Sequence, residues 1–205
     1  MAIERPLTRS DATGIRILDA AWELVRERGL QNVRVADVAD AAGVSRQSIY
    51  LHFENRTGLL AEMTRRHDDA TGFVDRVSAV CALPDPVDAL EHLCREWFAY
   101  LPDILPVATA LEAAGSTDPA GAAAWQMRMG DLRDGFRILI SAIAERGSLA
   151  DGWTVERATD WVWGRTHVTE WRHLVVERGW DAEEYAERTV RSVVAEIVRP
   201  TPGTS

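Results

Sequence analysis

The chain reads as an all-α protein, with a small N-terminal three-helix unit followed by a larger helical bundle. Three observations carry this reading. Apolar residues recur at helical spacing from residue 17 almost to the C-terminus. Residues 39–53, ADAAGVSRQSIYLHF, run helix, tight turn and helix together without a gap. The last two helical stretches carry more apolar face than a terminal helix can leave in water. At 205 residues the chain is long enough for a large core and for both parts.

The elements follow in order. Leu18, Ala21 and Val25, with Ile17 and Leu24 beside them, place a first helix over residues 10–28, with Gly29 as its C-cap. A second helix begins near Arg34, with Val35, Val38, Ala39 and Ala42 as its buried stripe. Gly43 supplies the positive φ that a sharp reversal needs, and Val44 plugs the turn. Ser45 caps a third helix by accepting a backbone N–H from Gln47 or Ser48, and Ile49 faces the core. A fourth helix, from about residue 56 to 80, links this unit to the rest. Beyond it, breaks fall at Leu83-Pro84-Asp85-Pro86, at Pro102 and Pro106, between 115 and 119, and between 147 and 152. Residues 200–205 read as a frayed tail.

In a helix-turn-helix, the first turns of the second helix reach base edges while its flanks hold phosphates. Arg46, Gln47 and Ser48 are therefore base-edge candidates, since arginine suits guanine and glutamine suits adenine through paired hydrogen bonds. Tyr50, His52 and Arg56 are phosphate candidates. Over residues 17–63, ILDAAWELVRERGLQNVRVADVADAAGVSRQSIYLHFENRTGLLAEM, the chain resembles the N-terminal helix-turn-helix of the TetR family of bacterial repressors. Ser45, Tyr50 and His52 match that family's serine, its tyrosine and its aromatic or histidine position, and Phe53 matches its core phenylalanine. The departures keep donors available: Gln47 stands where relatives often have a small residue, and Arg56 where they have a lysine. Arg34 replaces a capping threonine and adds a phosphate candidate. Leu51 is less polar than the pattern leads one to expect, and suits either a thymine methyl or an ordinary partly exposed position.

Charge is distributed unevenly. Residues 1–60 hold eight arginines and eight acidic residues, so the remaining 145 carry the whole net charge of −9. Such a chain would bind DNA through local arginine placement under strong salt screening, without an attractive overall field. The chain has no lysine. No run of about 18 apolar residues and no signal-peptide pattern appears, which points to a cytoplasmic protein without a membrane partner. Cys81 and Cys94 form neither a disulfide framework nor a zinc spacing, and both read as buried small residues. The five histidines and the serines show no catalytic or metal-ligating pattern, so the reading is a non-enzyme without a cofactor.

Seven of the eight tryptophans lie beyond residue 63. On a helix expected over 154–178, Trp161, Gly164, Val168, Trp171 and Val175 fall at alternating spacings of three and four, the pattern of a helix packed along another. A last helix puts Tyr185, Thr189, Val193 and Ile197 on one stripe. The TetR resemblance implies that these two helices form a homodimer interface, which would present two readers about one DNA turn apart (~34–36 Å) to a palindromic operator. Trp97, Tyr100, Leu105, Trp125, Met129, Leu132 and Trp163, with His167 as a polar handle, suit an apolar effector pocket and equally suit plain core packing. The domains expected are a DNA-binding unit over 1–56 and a ligand-binding and dimerisation unit over 57–205. The implied function is a ligand-responsive transcription regulator, a repressor released by a small molecule. An activator on the same scaffold, or an interaction module whose reader is inactive, are the alternatives.

Overall fold

In the computed structural model, which describes residues 9–114 and 117–200, the described residues form helices joined by short connections. Helix α1 (Arg9–Arg28) is followed by a 3₁₀ turn (Leu30–Asn32), α2 (Val35–Ala42), α3 (Arg46–His52), α4 (Arg56–Ala70) and α5 (Phe73–Cys81). Two long helices come next, α6 (Pro86–Ala113) and α7 (Pro119–Glu145). The chain ends with α8 (Val155–Arg165), α9 (Val168–Trp171) running into a π-helical segment (Arg172–Glu177), and α10 (Ala182–Ile197). An isolated β-bridge pairs Leu149 with Val198.

Several expected boundaries move, each for a local reason. The fourth helix stops at Ala70, because Gly72 takes φ 70° and turns the chain into α5. Pro102 and Pro106 do not break α6. They lie four apart on its exposed side, where the carbonyls left without a donor can bond water. The helix expected over 154–178 is interrupted at Thr166 and His167, and His167 caps the second piece by accepting the Thr169 N–H. The tail expected at 200–205 lies outside the described residues beyond Pro200, as do residues 115–116 of the expected break before Pro119. Cys94 is buried as expected, its thiol pushed up to about 12 by burial, whereas Cys81 is exposed.

The chain divides into two compact units, each drawn from two stretches of the sequence. One comprises residues 1–72 together with 106–128, and the other residues 73–105 together with 129–205. In the first, α1 packs on α2 and α4. Its core is built from Ile17, Ala21 and Val25 of α1, Leu30, Val38, Ile49, and Leu59, Leu60 and Met63 of α4. The Trp22 and His67 rings stack at 3.6 Å across the α1–α4 contact. The second unit buries Leu90, Leu101, Phe136, Ile140, Val162 and Val190.

Candidate nucleic-acid interface

The reader is set by caps at each joint. Asp37 Oδ2 accepts the Arg34 N–H at 2.7 Å, the half of a capping box that runs from the third helical residue back to the cap, while the Asp37 N–H that a capping hydroxyl would take donates to the Arg34 carbonyl at 3.0 Å. At the other end Gly43 takes φ 64°, ψ 40°, a left-handed conformation that strains any side chain, and Val44 N–H closes on the Ala39 carbonyl at 3.0 Å. Of the two partners expected for Ser45, the structure selects Ser48, whose N–H donates to Ser45 Oγ at 3.1 Å. Asn55 caps α4 through Gly58 N–H. With both ends fixed, α3 has one buried side chain, Ile49, at 1% exposure.

Burial sorts the expected contact residues. Arg46 and Gln47 project into solvent, and Tyr50 is 53% exposed. Neither Arg46 nor Arg34, which is also exposed, forms an ion pair among the described residues, so both guanidiniums are available to an anion. Ser48 and His52 are half-buried on the flanks, and His52 Nδ1 lies 3.5 Å from where a side chain at Gly14 would begin. Leu51, left out of the expected contact set, is 80% exposed.

Arg56 is the correction. Its Nη2 donates to the Val33 carbonyl at 3.2 Å and its Nη1 to Asp118 at the head of α7, so the guanidinium is turned inward instead of facing a phosphate. Burial pushes the Asp118 carboxyl up. The Arg56 hydrogen bond and the Gly121 N–H outweigh this and hold it below the usual carboxylate range. A second pair, Arg128 to the buried Asp68, ties the last turn of α4 to α7. The sequence carried no local signal of either, since the partners are about sixty residues apart.

The other expected sites lie elsewhere. In the second unit Trp97 is buried with its Nε1 donating to the Thr166 carbonyl at 2.8 Å, and Trp163 Nε1 donates to the Met129 carbonyl at 3.1 Å. Trp163 meets His167 edge-on at 5.1 Å. Tyr100 is buried and stacks on Phe73 at 4.2 Å, while Leu105 and Leu132 are half-buried. Trp97, Met129, Trp163 and His167 are thus brought together around the α8–α9 break, and the two indole N–H groups there already have partners. Trp125 falls in the first unit, half-buried.

The expected dimer stripe is corrected as well. Val168, Trp171, Tyr185, Thr189, Val193 and Ile197 are each at most 4% exposed within the single chain, so they close its own core. Tyr185 packs edge-on against Phe98 of α6 at 5.3 Å, and Arg95 of α6 holds Glu187 of α10 at 2.7 Å. Gly164 and Val175 are half-buried, and of the stripe only Trp161 stands out in solvent, at 40%.

The profile described as "Bacterial regulatory proteins, tetR family" matches residues 17–63, the segment from α1 into α4. The chain carries the helix-turn-helix of the TetR family. It is a transcription regulator, not an enzyme. The similarity extends beyond the reader: the HTH-type transcriptional repressor BepR of Brucella suis is 27% identical over 204 residues, covering 94% of this chain and 96% of that protein. The repressor KstR2 of Rhodococcus jostii is 41% identical over 59 residues, 29% of this chain and 26% of its own length. Among solved structures, NalD of Pseudomonas aeruginosa, described as the secondary repressor of the MexAB-OprM multidrug efflux pump, superposes with a TM-score of 0.69 at 25% identity, covering 94% of this chain and 98% of NalD. The all-helical TetR-type fold is shared over nearly the whole length. Among the described residues, no helix is long and apolar enough to cross a membrane.

Proposed function

We propose that this TetR-type regulator binds a palindromic operator as a homodimer, represses transcription there, and is released by a small apolar or amphipathic molecule bound in the helical part beyond the reader. One observation supports the operator reading above all: α3 buries Ile49 alone and holds Arg46, Gln47 and Tyr50 in solvent beside the unpaired Arg34. A helix that only packed would gain nothing from such a set. Repression is favoured over activation by BepR and NalD, which match over nearly their whole length and are both described as repressors. Two copies would meet on the outward side of α8 and the segment after α9, where Trp161, Val176 and Trp180 are 40, 54 and 42% exposed. The protein would act in the cytoplasm, and aromatic residues around the α8–α9 break would answer to the effector.

Selection of duplexes from a randomised pool by the purified protein, at near-physiological salt, tests the reading. An enriched inverted repeat with half-sites about one turn apart is the expected outcome. Folded protein that enriches nothing refutes it. Sedimentation of Trp161→Arg against the wild type tests the pairing surface: the variant should shift toward monomer, and an unchanged mass would move the dimer contact elsewhere.

A further inference from the structure

Leu51 is the most exposed large apolar side chain among the described residues, and it sits on the recognition helix. Exposure of one leucine is ordinary. Its position is not. Successive residues of an α-helix turn by about 100°, so residues two before and two after the buried Ile49 both lie about 160° from it around the axis. Those two residues are Gln47 and Leu51, four apart in sequence and therefore side by side on the ridge of α3 that points farthest from the protein's own core. Arg46 and Tyr50 are exposed beside this ridge, while Ser48, which the sequence placed among the base readers, is half-buried on its flank.

We infer that Leu51, resting on the operator-binding reading above, is a specificity-determining residue that packs on the C5-methyl of a thymine in each half-site. The chemistry of the groove selects that partner. Base edges in the major groove offer hydrogen-bond acceptors, amino donors and one apolar group, the thymine methyl. A leucine pressed against the acceptors or amines would strip their water and return no hydrogen bond, whereas against the methyl both surfaces leave water favourably. Leu51 therefore favours a thymine and penalises a guanine or cytosine opposite it. Gln47, one turn earlier on the same ridge, suits an adenine, so the ridge as a whole is built to read an A·T-rich step.

The test uses the duplex enriched by the full-length wild-type chain, with each thymine replaced in turn by deoxyuridine, which lacks only the C5-methyl, and affinity read by competition anisotropy. At one thymine per half-site the wild type should weaken roughly four-fold, the effect of one buried methyl. Leu51→Ala, an exposed change to the best helix former, should bind the thymine duplex with that loss in each of the two half-sites, roughly sixteen-fold in all, and be indifferent to deoxyuridine there. Gln47→Ala should keep the deoxyuridine sensitivity. A wild type insensitive to deoxyuridine at every position overturns the inference, as does a Leu51→Ala variant that keeps the sensitivity; both leave the operator reading intact. A wild type that binds no duplex overturns that reading and the inference together.

Discussion

Replacing Asp118 should loosen the DNA-reading unit although the residue lies sixty-two positions from its partner there. One carboxylate oxygen caps α7, accepting the Ala120 and Gly121 N–H groups at 3.1 and 3.2 Å, and the other takes Arg56 at the start of α4. Removing a capping carboxylate costs about 1 kcal/mol. Losing a hydrogen bond to a charged group costs about 1.5–3 kcal/mol, and the Arg56 and Asp118 side chains, 27 and 19% exposed, are shielded enough for most of that to count. Asp118→Ala should therefore destabilise by about 2–4 kcal/mol, and Asp118→Asn, whose one amide oxygen can keep the cap while its NH2 replaces the acceptor that Arg56 uses, by about 1.5–3 kcal/mol. Urea unfolding followed by far-ultraviolet circular dichroism measures both, and the Arg56→Ala, Asp118→Ala double-mutant cycle isolates the pair. The pH dependence gives a second readout with a defined sign. The folded carboxyl sits below its unfolded value of about 3.9, so its stabilisation is complete above that pH and is lost as pH falls through the lower folded value. Asp118→Asn should flatten that acid limb. A coupling below about 0.5 kcal/mol together with an unchanged acid limb would refute the reasoning.

Three further outcomes are expected. Gln47→Ala should change sequence preference as well as affinity, whereas Tyr50→Phe should weaken all sites about equally; competitive selection across a duplex library distinguishes them, and a uniform loss in Gln47→Ala would remove that residue from base readout. Arg34→Ala should lower the slope of log affinity against log salt by about one, while Arg56→Ala should leave the slope unchanged, because its guanidinium is held by Asp118 and Val33. Gly121→Ala should destabilise by about 1–3 kcal/mol, against the usual gain from alanine in a helix, because a Cβ there would stand 2.5 Å from Leu30 Cδ2 and 2.7 Å from Ala114 Cβ; thermal unfolding reads the sign.

What the sequence revealed was what is local. Ser45, Gly43 and the stripe ending at Ala42 announce caps and a turn whose partners lie within four residues, and these stand where expected. The face of α3 was harder, because the sequence does not show that Ser48 is half-buried and Leu51 exposed until Ile49 is known to point inward. Arg56 failed for a different reason. A cation at the head of a helix beside a recognition element looks like a phosphate contact until a carboxylate from far along the chain claims it. The α10 stripe failed similarly: an apolar face records that something covers it, and Phe98 of the same chain satisfies that need at Tyr185 as well as a second copy would.

The two ion pairs change what α4 can do. Its first residue is fixed to the head of α7 through Arg56 and Asp118, and its last turn to a point further along α7 through Asp68 and Arg128. A strut fastened at both ends cannot tilt without either carrying α7 with it or separating two partly buried charge pairs, each costing several kcal/mol to open by removing one partner. Residues 106–128 accordingly group with the reader and not with the rest of the bundle. A signal that repositions α3 would therefore have to act on this stretch of α6 and α7 as well as on the fourth helix that the sequence marks as the link.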